Sequence, residues 1–257
     1  KAACKKILMA QGLPVLPCVS FDVRKWAAAC DQIVCRVEQE IGYPVIVKPV
    51  NLGSSVGIKK AADRDQLMEA VSLASSFSDR LMAEKAVEQL REINCAVLGD
   101  RDGAEASVCE EPLMSDEILS YQDKYLGGGK SAEGSKGMSS LKRRLPAQLS
   151  DAKSEEIRSL ALRAFEAVGC SGVVRIDFLL DTEDEDRVYI NELNTIPGSL
   201  AFYLFQAGGM SYPTLLDRLV SLGFSRYRKK NHLMFTLETN LLSQSQGLGT
   251  KGSKKLG

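Results

Sequence analysis

Histidine is almost missing from this sequence of 257 residues, whose single histidine is His232, near the C-terminal end. A Ser-His-Asp triad or a metal site built from histidines needs that side chain in the folded body, so both are disfavoured. The seven cysteines are scattered and form no Cys-x-x-Cys pair, which argues against a zinc framework and a disulfide scaffold. We therefore expect free thiols in a reducing, cytoplasmic setting, and catalysis by carboxylates, lysines, arginines and backbone amides.

Long apolar runs are missing as well, since none approaches the roughly 18–20 residues that cross a bilayer. The sequence begins with lysine, and no signal-peptide pattern follows it. It is 44% hydrophobic and 26% charged, a globular composition that excludes disordered, collagen-like and coiled-coil classes for most of the chain. We expect one large domain or two smaller ones, and no membrane partner.

Charge is balanced overall, at 33 basic and 33 acidic residues, but not along the chain. Residues 226–257 contain seven basic residues and one acidic residue, which leaves 26 basic and 32 acidic residues in 1–225. A mildly acidic body argues against a nucleic-acid-binding core. The composition predicts a basic, disordered tail over 226–257, with docking to partners or anionic surfaces as the alternative.

Helical and extended patterns are mixed without a strict βαβ rhythm, which predicts an α+β fold. Apolar residues at helical spacing predict helices over 26–40, 63–74, 150–168 and 213–220. Short apolar stretches predict strands over 44–48, 81–86, 93–98, 173–180 and 188–194. Residues 115–146 are polar and rich in glycine, serine and lysine, which predicts a long loop that is either functional or disordered.

A predicted strand ending in Lys48 leads into a loop that contains Gly53, Ser54, Ser55 and Gly57. Small residues let backbone N–H groups approach a polyphosphate, and the lysine neutralises part of the negative charge of the phosphates. The loop is neither a Walker A loop nor a dinucleotide-binding turn, because the required Lys-Ser/Thr and Gly spacing are absent. The pattern indicates a phosphate site, and an ordinary Gly/Ser turn is the alternative.

The segments around Asp177 and Glu192 carry the sharpest pattern. If they form a hairpin whose turn centres near residue 184, the two carboxylates lie opposite each other, with Arg175 and Asn194 on the same face. Opposed carboxylates repel each other unless something positive lies between them, and Asp, Glu and Asn oxygens suit Mg²⁺. We predict a magnesium site, and a salt bridge from Arg175 to either carboxylate is the alternative.

Two further features are informative only beside these patterns. Pro197-Gly198 follows the second strand and predicts a tight turn that aims a backbone N–H at a reacting oxyanion. Lys124, at the mouth of the long loop, can close over a phosphate and exclude water. Alone, the first is most often an ordinary turn and the second a solvated charge. Together with the two patterns above, they predict ATP-dependent phosphoryl chemistry.

The order and spacing of these motifs resemble the D-alanine–D-alanine ligase family of the ATP-grasp superfamily. The resemblance runs over residues 1 to about 224, almost the whole predicted folded part. The matching stretches in chain order are Gly12–Pro14, Gly42–Pro49, Gly53–Gly57, Glu84–Lys85, Arg91–Glu92, Asp123–Tyr125, Ala161–Gly172, Arg175–Asp177 and Asn191–Gly198.

The resemblance implies an ATP-grasp fold with two subdomains, residues 1–82 and 83–225, whose mixed and antiparallel sheets hold ATP between them. The long loop over 115–146 then belongs to the second subdomain. Lys1 matches the lysine that opens the family's central domain, which implies that the family's N-terminal domain is absent from this chain.

The resemblance also implies site residues. It assigns the nucleotide to Lys1, Lys48, Ser54, Ser55, Glu84, Lys85, Val87, Glu92, Lys124 and Asn191. It assigns two Mg²⁺ ions, which Mn²⁺ can replace, to Asp177, Glu192 and Asn194. It assigns catalysis to Arg175, Gly198 and Ser54, with Arg175 and the Gly198 amide stabilising the acyl-phosphate and tetrahedral oxyanion.

The implied reaction joins two D-alanines through an acyl phosphate, for peptidoglycan precursors. Residues 199–205 depart from the Thr/Ser-rich segment that holds the second substrate in well-known family members, so D-lactate, D-serine or another amine stays open as the acceptor. Another ATP-grasp carboxylate–amine ligase is one alternative, and a non-catalytic nucleotide-binding module is a second. The expected partners are small molecules, and a homodimer is possible because it is common in relatives. We expect this chain alone to bind ATP weakly and to ligate poorly or not at all.

Overall fold

The structure is a computed structural model that describes residues 1–52, 56–113 and 143–232. Its helices are α1 Ala2–Ala10, α2 Val23–Glu40, α3 Arg64–Ser75, α4 Asp151–Ala167, α5 Phe202–Ala207 and α6 Tyr212–Asn231. Its strands are β1 Cys18–Asp22, β2 Val45–Pro49, β3 Lys59–Ala61, β4 Arg80–Lys85, β5 Leu90–Asp100, β6 Gly103–Pro112, β7 Arg143–Arg144, β8 Gly172–Asp181 and β9 Arg187–Asn194. Helices packed on two separate sheets make this the predicted α+β fold.

The first sheet has the strand order β1-β4-β2-β3 with antiparallel neighbours, and α2 and α3 pack against one of its faces. Asp63 caps the start of α3, because its Oδ1 accepts a hydrogen bond from the Gln66 N–H at 2.9 Å. α2 begins at Val23, three residues before the predicted start, because Asp22 caps it by accepting from the Arg24 N–H at 2.8 Å.

The second sheet has the order β7-β6-β5-β8-β9, again with antiparallel neighbours. Alternate residues along β5 point to opposite faces, and Ile93, Cys95 and Val97 are buried together with residues of α4. α4 is capped by Ser150 and carries the predicted apolar stripe from Ile157 to Phe165. This face is the main hydrophobic core.

The other face of the second sheet is divided along the length of its strands. At one end, Ala96 and Leu98 pack against the buried residues of α5 and α6. At the other end, the same face carries Glu92 and Asn94, because strand residues two apart share a face. A polar half of one sheet face therefore remains beside the first sheet, and the site is built there.

α1 joins the two sheets. Ala2 packs with Val50 and Met82 of the first sheet, whereas Leu8 is buried in the core of the second sheet. The predicted subdomain boundary at residue 82 falls inside β4, all of which pairs within the first sheet. No helix among the described residues is long and apolar enough to cross a membrane.

The chain differs from its predicted organisation at two segment ends. α6 runs to Asn231, so residues 226–231 of the predicted disordered tail are helical. The reason is that basic residues suit a helix C-terminus, and Lys229 forms ion pairs with Asp100 and Asp102. Residues 143–144 of the predicted long loop form β7, while the rest of that loop up to 142 and the tail from 233 lie outside the described residues.

Candidate active site

Two lysines share one buried glutamate on the first sheet. Lys48 Nζ on β2 lies 2.5 Å from Glu84 Oε2 on β4, and Lys5 Nζ on α1 contacts the other oxygen, Oε1. Lys5, Lys48 and Glu84 are only 2%, 8% and 3% exposed. This trio, which we call the two-lysine cluster, therefore carries one positive charge in excess when both lysines are protonated.

Burial is the largest influence on the proton affinity of both lysines. Burial, together with the charges of Lys5 and Lys1, lowers the pKa of Lys48 to about 7. Burial likewise lowers the pKa of Lys5 to about 8. The direction follows from geometry, because a single carboxylate cannot compensate two ammonium groups that are both removed from water.

The predicted hairpin is confirmed on the second sheet. Asp177 lies opposite Glu192, and Arg175 lies opposite Asn194. The strands are symmetric about residue 184 from Asp181 to Phe178, and then a bulge at Asn191 shifts the register by one residue. Without that bulge, Asn191 would face Asp177.

Arg175 binds the Asp177 carboxylate with both arms of its guanidinium. Arg175 Nε donates to Asp177 Oδ1 at 2.7 Å, and Nη2 donates to Oδ2 at 2.9 Å. Asn194 Nδ2 donates to Oδ2 at 2.8 Å. The salt bridge named as the alternative to a metal site is therefore formed in this structure. Burial raises the pKa of Asp177, although Arg175 and Asn194 act in the opposite direction.

Glu192 connects the second sheet to the start of the chain, because Lys1 Nζ lies 2.6 Å from its Oε2. Burial opposes ionisation of Glu192, but the hydrogen bond and charge of Lys1, with Lys48 and Arg175, outweigh it and lower its pKa. On the same face, burial raises the pKa of Glu92, and the charges of Asp177 and Glu192 add to this effect. The cluster of the first sheet and the carboxylates of the second thus lie within electrostatic reach of each other.

The side chains of this site fit a polyphosphate and a hard cation. Lys1, Lys5 and Lys48 supply positive charge beside the first sheet, and Asp177, Glu192 and Asn194 supply oxygen atoms of the kind that Mg²⁺ binds. Over the described ranges, no group of three or more His, Cys, Asp and Glu side chains is arranged to hold a metal. The predicted ligands, Asp177, Glu192 and Asn194, include only two residues of these four types, because Asn194 offers an amide oxygen.

The remaining predicted residues occupy the edges of the site. Lys85 Nζ, at the end of β4, donates to the Tyr43 carbonyl at 2.9 Å, and Val87 is half-buried in the connection to β5. Gly198 is exposed in the turn after β9, where the Leu200 N–H donates to the Pro197 carbonyl at 2.9 Å. Ser54, Ser55 and Lys124 lie outside the described residues.

Sequence reasoning missed a polar network beside Arg175. Glu110 on β6 is 4% exposed and accepts hydrogen bonds from Tyr203 Oη at 2.7 Å and Asn94 Nδ2 at 3.0 Å. Arg143 lies 3.5 Å from the other Glu110 oxygen, and its guanidinium carbon lies 4.7 Å from the Tyr203 ring centre. The available signal for this network was a charged residue, Glu110, within an otherwise buried strand.

Lys5, four residues after Lys1, was also not predicted as a site residue, because a lysine at this position equally fits a solvated helix face.

A cleft of about 770 Å³ lies at the opposite end of the second sheet, between the β5–β6 turn, α4 and α6. None of the predicted site residues lines it. Its lining mixes acidic and basic side chains, among them Asp102 and Lys229, which pair with each other. The chemistry-bearing residues are therefore gathered between the sheets and not in this cleft.

Known proteins resemble the chain over most of its length. The family described as D-ala D-ala ligase C-terminus matches residues 7–221. The chain is 40% identical to the D-alanine–D-alanine ligase of Heliobacterium modesticaldum, over 90% of this chain and 60% of that protein. It is 32% identical to the D-alanine–D-alanine ligase of Thermosipho africanus, over 94% of this chain and 62% of that protein.

Solved structures give the same result. The VanG D-Ala:D-Ser ligase from Enterococcus faecalis superposes with a TM-score of 0.70 at 26% identity, over 86% of this chain and 60% of that chain. The D-alanine–D-alanine ligase from Coxiella burnetii superposes with a TM-score of 0.69 at 27% identity, over 96% and 61%. The chain thus spans about three fifths of the length of the proteins that it matches.

Proposed function

The chain belongs to the D-alanine–D-alanine ligase C-terminal family, and from that membership we propose that it is the nucleotide-binding part of an ATP-dependent ligase. The ligase joins two D-alanines for peptidoglycan precursors, a cytoplasmic reaction. One observation supports the proposal above all others. The two-lysine cluster of the first sheet and the opposed carboxylates of the second face the same space, and Lys1 spans it to reach Glu192.

Cations at this position suit the phosphates of ATP, and carboxylates suit a metal between those phosphates. We assign Lys1 and Lys48 to the phosphates, with Ser54, Ser55 and Lys124 from outside the described residues. The rest of the nucleotide is assigned to Glu84, Lys85, Val87, Glu92 and Asn191.

Asp177, Glu192 and Asn194 would hold Mg²⁺, which when bound neutralises charge on the phosphate oxygens. Arg175 and Lys1 already neutralise the two carboxylates. Their cationic groups would therefore turn from the carboxylates toward the phosphates as ligands arrive.

In the proposed reaction, a carboxylate oxygen of the first D-alanine bonds to the γ-phosphorus while the bond to ADP breaks. The amine of the second D-alanine then attacks the acyl carbon, phosphate leaves, and the amine proton passes to solvent. Arg175 and the Gly198 N–H are the donors for the negative charge that develops on the carbonyl oxygen, and Ser54 is a further catalytic candidate. One such donor lowers a barrier by about 3–4 kcal/mol.

A second acceptor has support from three observations. Residues 199–205 lack the Thr/Ser-rich pattern that holds the second substrate in well-known family members, and Tyr203 of that segment is held by Glu110. A protein with a similar structure is a D-Ala:D-Ser ligase. D-serine is therefore the alternative second substrate.

The proposal is tested with the chain itself. MgATP binding is measured calorimetrically, and ADP and dipeptide are measured by mass spectrometry after incubation with D-alanine alone or with D-alanine plus D-serine or D-lactate. We expect MgATP to bind, and Glu192→Gln to weaken binding at least about tenfold, since it removes one charged metal ligand. Any dipeptide that forms identifies the acceptor.

The matched control is Glu155→Gln, because Glu155 also forms an ion pair, with Arg158, but lies on the exposed side of α4. It should leave MgATP binding unchanged. Equal effects of the two substitutions, or no MgATP binding by the wild-type chain, would contradict the proposal.

A further inference from the structure

The two-lysine cluster contains one residue with no assigned role, Lys5. Its element, α1, is packed against both sheets. Lys5 is 2% exposed, and its ammonium group contacts the Glu84 carboxylate. Burying a lysine is costly, and a single carboxylate needs only one partner to neutralise it. Lys48 already fills that place at 2.5 Å. The second ammonium is therefore in excess for the stability of the fold alone.

The other charged and titratable groups near the cluster do not remove this excess. Around Lys5 they are Cys18 on β1, Cys4 on the same helix, and Lys1 directly before that helix. Around Lys48 they are Lys1, Cys18 and Glu192 on β9. Glu192 is the only carboxylate among these groups besides Glu84, and it pairs with Lys1. The buried charge is thus uncompensated within the described part of the chain.

We propose that Lys5 is a positioning residue that shares Glu84 with Lys48, so that the cluster gives up a proton when the site is empty and takes one up when a polyphosphate binds. An anionic ligand supplies the missing negative charge and stabilises the doubly protonated cluster. The proposal rests on the proposed function, since it takes the phosphates of ATP as the ligand. It makes nucleotide affinity depend on pH through a residue that need not touch the nucleotide.

The pKa of both lysines supports this direction, because both are lowered, to about 8 for Lys5 and about 7 for Lys48. Above these values the free cluster has lost a proton, which ligand binding must restore. Affinity therefore falls as pH rises, by at most about tenfold per pH unit for one linked proton.

The test is calorimetric titration of the chain with MgATP at about pH 8.5, in two buffers with different ionisation enthalpies. The terminal phosphate, whose second pKa is about 6, is fully ionised there, so any proton comes to the protein. For the wild-type chain we expect a buffer-dependent heat that corresponds to uptake of up to one proton. Lys5→Met should remove most of this uptake, because Lys48 then stays protonated beside its own carboxylate.

Two further variants separate charge coupling from structure. Lys6→Met removes the same charge from the next, exposed position of α1, and should keep the uptake. Lys5→Arg restores a permanent charge at position 5, so Lys48 still loses a proton in the free chain and the uptake should return. Its failure to return overturns the proposal, and this holds even if Lys5→Met does not fold.

The outcomes also distinguish the two proposals. MgATP binding without proton uptake, or uptake that is unchanged in folded Lys5→Met, overturns the role of Lys5 and leaves the ligase proposal intact. Absence of MgATP binding by the wild-type chain overturns both.

Discussion

Glu110 lies where the polar and apolar halves of one sheet face meet, and its two carboxylate oxygens bind side chains from three elements. Tyr203 Oη from α5 and Asn94 Nδ2 from β5 donate to one oxygen, and Arg143 from β7 pairs with the other. A buried carboxylate costs free energy unless it is paired and hydrogen-bonded, so the Tyr203 hydrogen bond contributes to holding α5 on the sheet. The turn with Gly198 lies directly before that helix.

We predict that Tyr203→Phe destabilises the chain by about 1–2 kcal/mol, because a hydrogen bond to a buried charged oxygen is lost. The measurement is the free energy of unfolding in urea. Tyr43→Phe is the matched control, since the Tyr43 hydroxyl donates to the less buried Glu38 carboxylate at 3.3 Å. That change should cost under about 0.5 kcal/mol. Similar losses for both variants would show that the Glu110 network contributes no more than a surface contact.

The β8–β9 hairpin sets the geometry of the carboxylates at the scale of one element. Its tip turns across Asp184–Arg187, where the Arg187 N–H donates to the Asp184 carbonyl at 2.8 Å. The central residues, Glu185 and Asp186, have φ of 50° and 56°. Turns with positive φ at both central positions favour Asn-Gly, so this pair is strained by its side chains.

We predict that replacing this pair with Asn-Gly, through Glu185→Asn and Asp186→Gly, raises the free energy of unfolding by about 1 kcal/mol, because it relieves that strain. MgATP affinity should not change, since the turn lies several residues from Asp177. The control is Glu183→Gly in the same loop, where φ is not positive, and it should be neutral or destabilising. An Asn-Gly turn that is no more stable than the wild-type turn would argue against strain at the tip.

Elements with a strong pattern were predictable from the sequence. The helix over 150–168 and the hairpin were found because an apolar stripe, a cap and two alternating strands repeat the same signal over many residues. α1 and β3 were not found, since one carries a buried lysine on its inner face and the other has three residues. Their place depends on contacts with distant residues, which a local pattern does not contain.

The site was predictable where a pair of residues lies on one element, and not where elements meet. Asp177 opposite Glu192 follows from the hairpin alone, although the bulge at Asn191 that produces this pairing does not. The approach of Lys5 to Glu84 joins residues almost 80 positions apart and needs the packed fold. The same holds for Tyr203 and Glu110, which are 93 positions apart.

At the scale of the whole molecule, the described charges pair so that one buried positive charge, in the two-lysine cluster, has no matching carboxylate. Most ion pairs of the described residues are at the surface, where each contributes little to stability. The two-lysine cluster differs because both ammonium groups are buried and their pKa values lie below the ordinary value of 10.5. The pH dependence of folding near neutrality should therefore be governed by this cluster.

We predict that the chain becomes more stable as pH rises from about 7 to about 9. A lysine whose folded pKa is lowered binds fewer protons in the folded than in the unfolded chain across this window. Stability then increases with pH, by at most about 1.4 kcal/mol per pH unit for each linked proton. The raised pKa values of Asp177 and Glu92 act in the acidic range. The thiols whose pKa is raised above the ordinary value of 9.0, which are Cys4, Cys30, Cys95 and Cys170, oppose the trend only as the pH approaches 9, so the rise should be steepest between about pH 7 and 8.

The measurement is the urea midpoint and slope at several pH values without nucleotide. Lys5→Met should flatten the profile, because the remaining lysine and Glu84 form a neutral pair whose charge does not change in this window, whereas Lys6→Met should reproduce the wild-type slope. Added MgATP should also flatten it, since bound phosphates keep the cluster protonated in the folded state. A wild-type profile that is flat or falls between pH 7 and 9 would mean that the buried charge is compensated in the folded chain, and that the cluster does not gain a proton when a ligand binds.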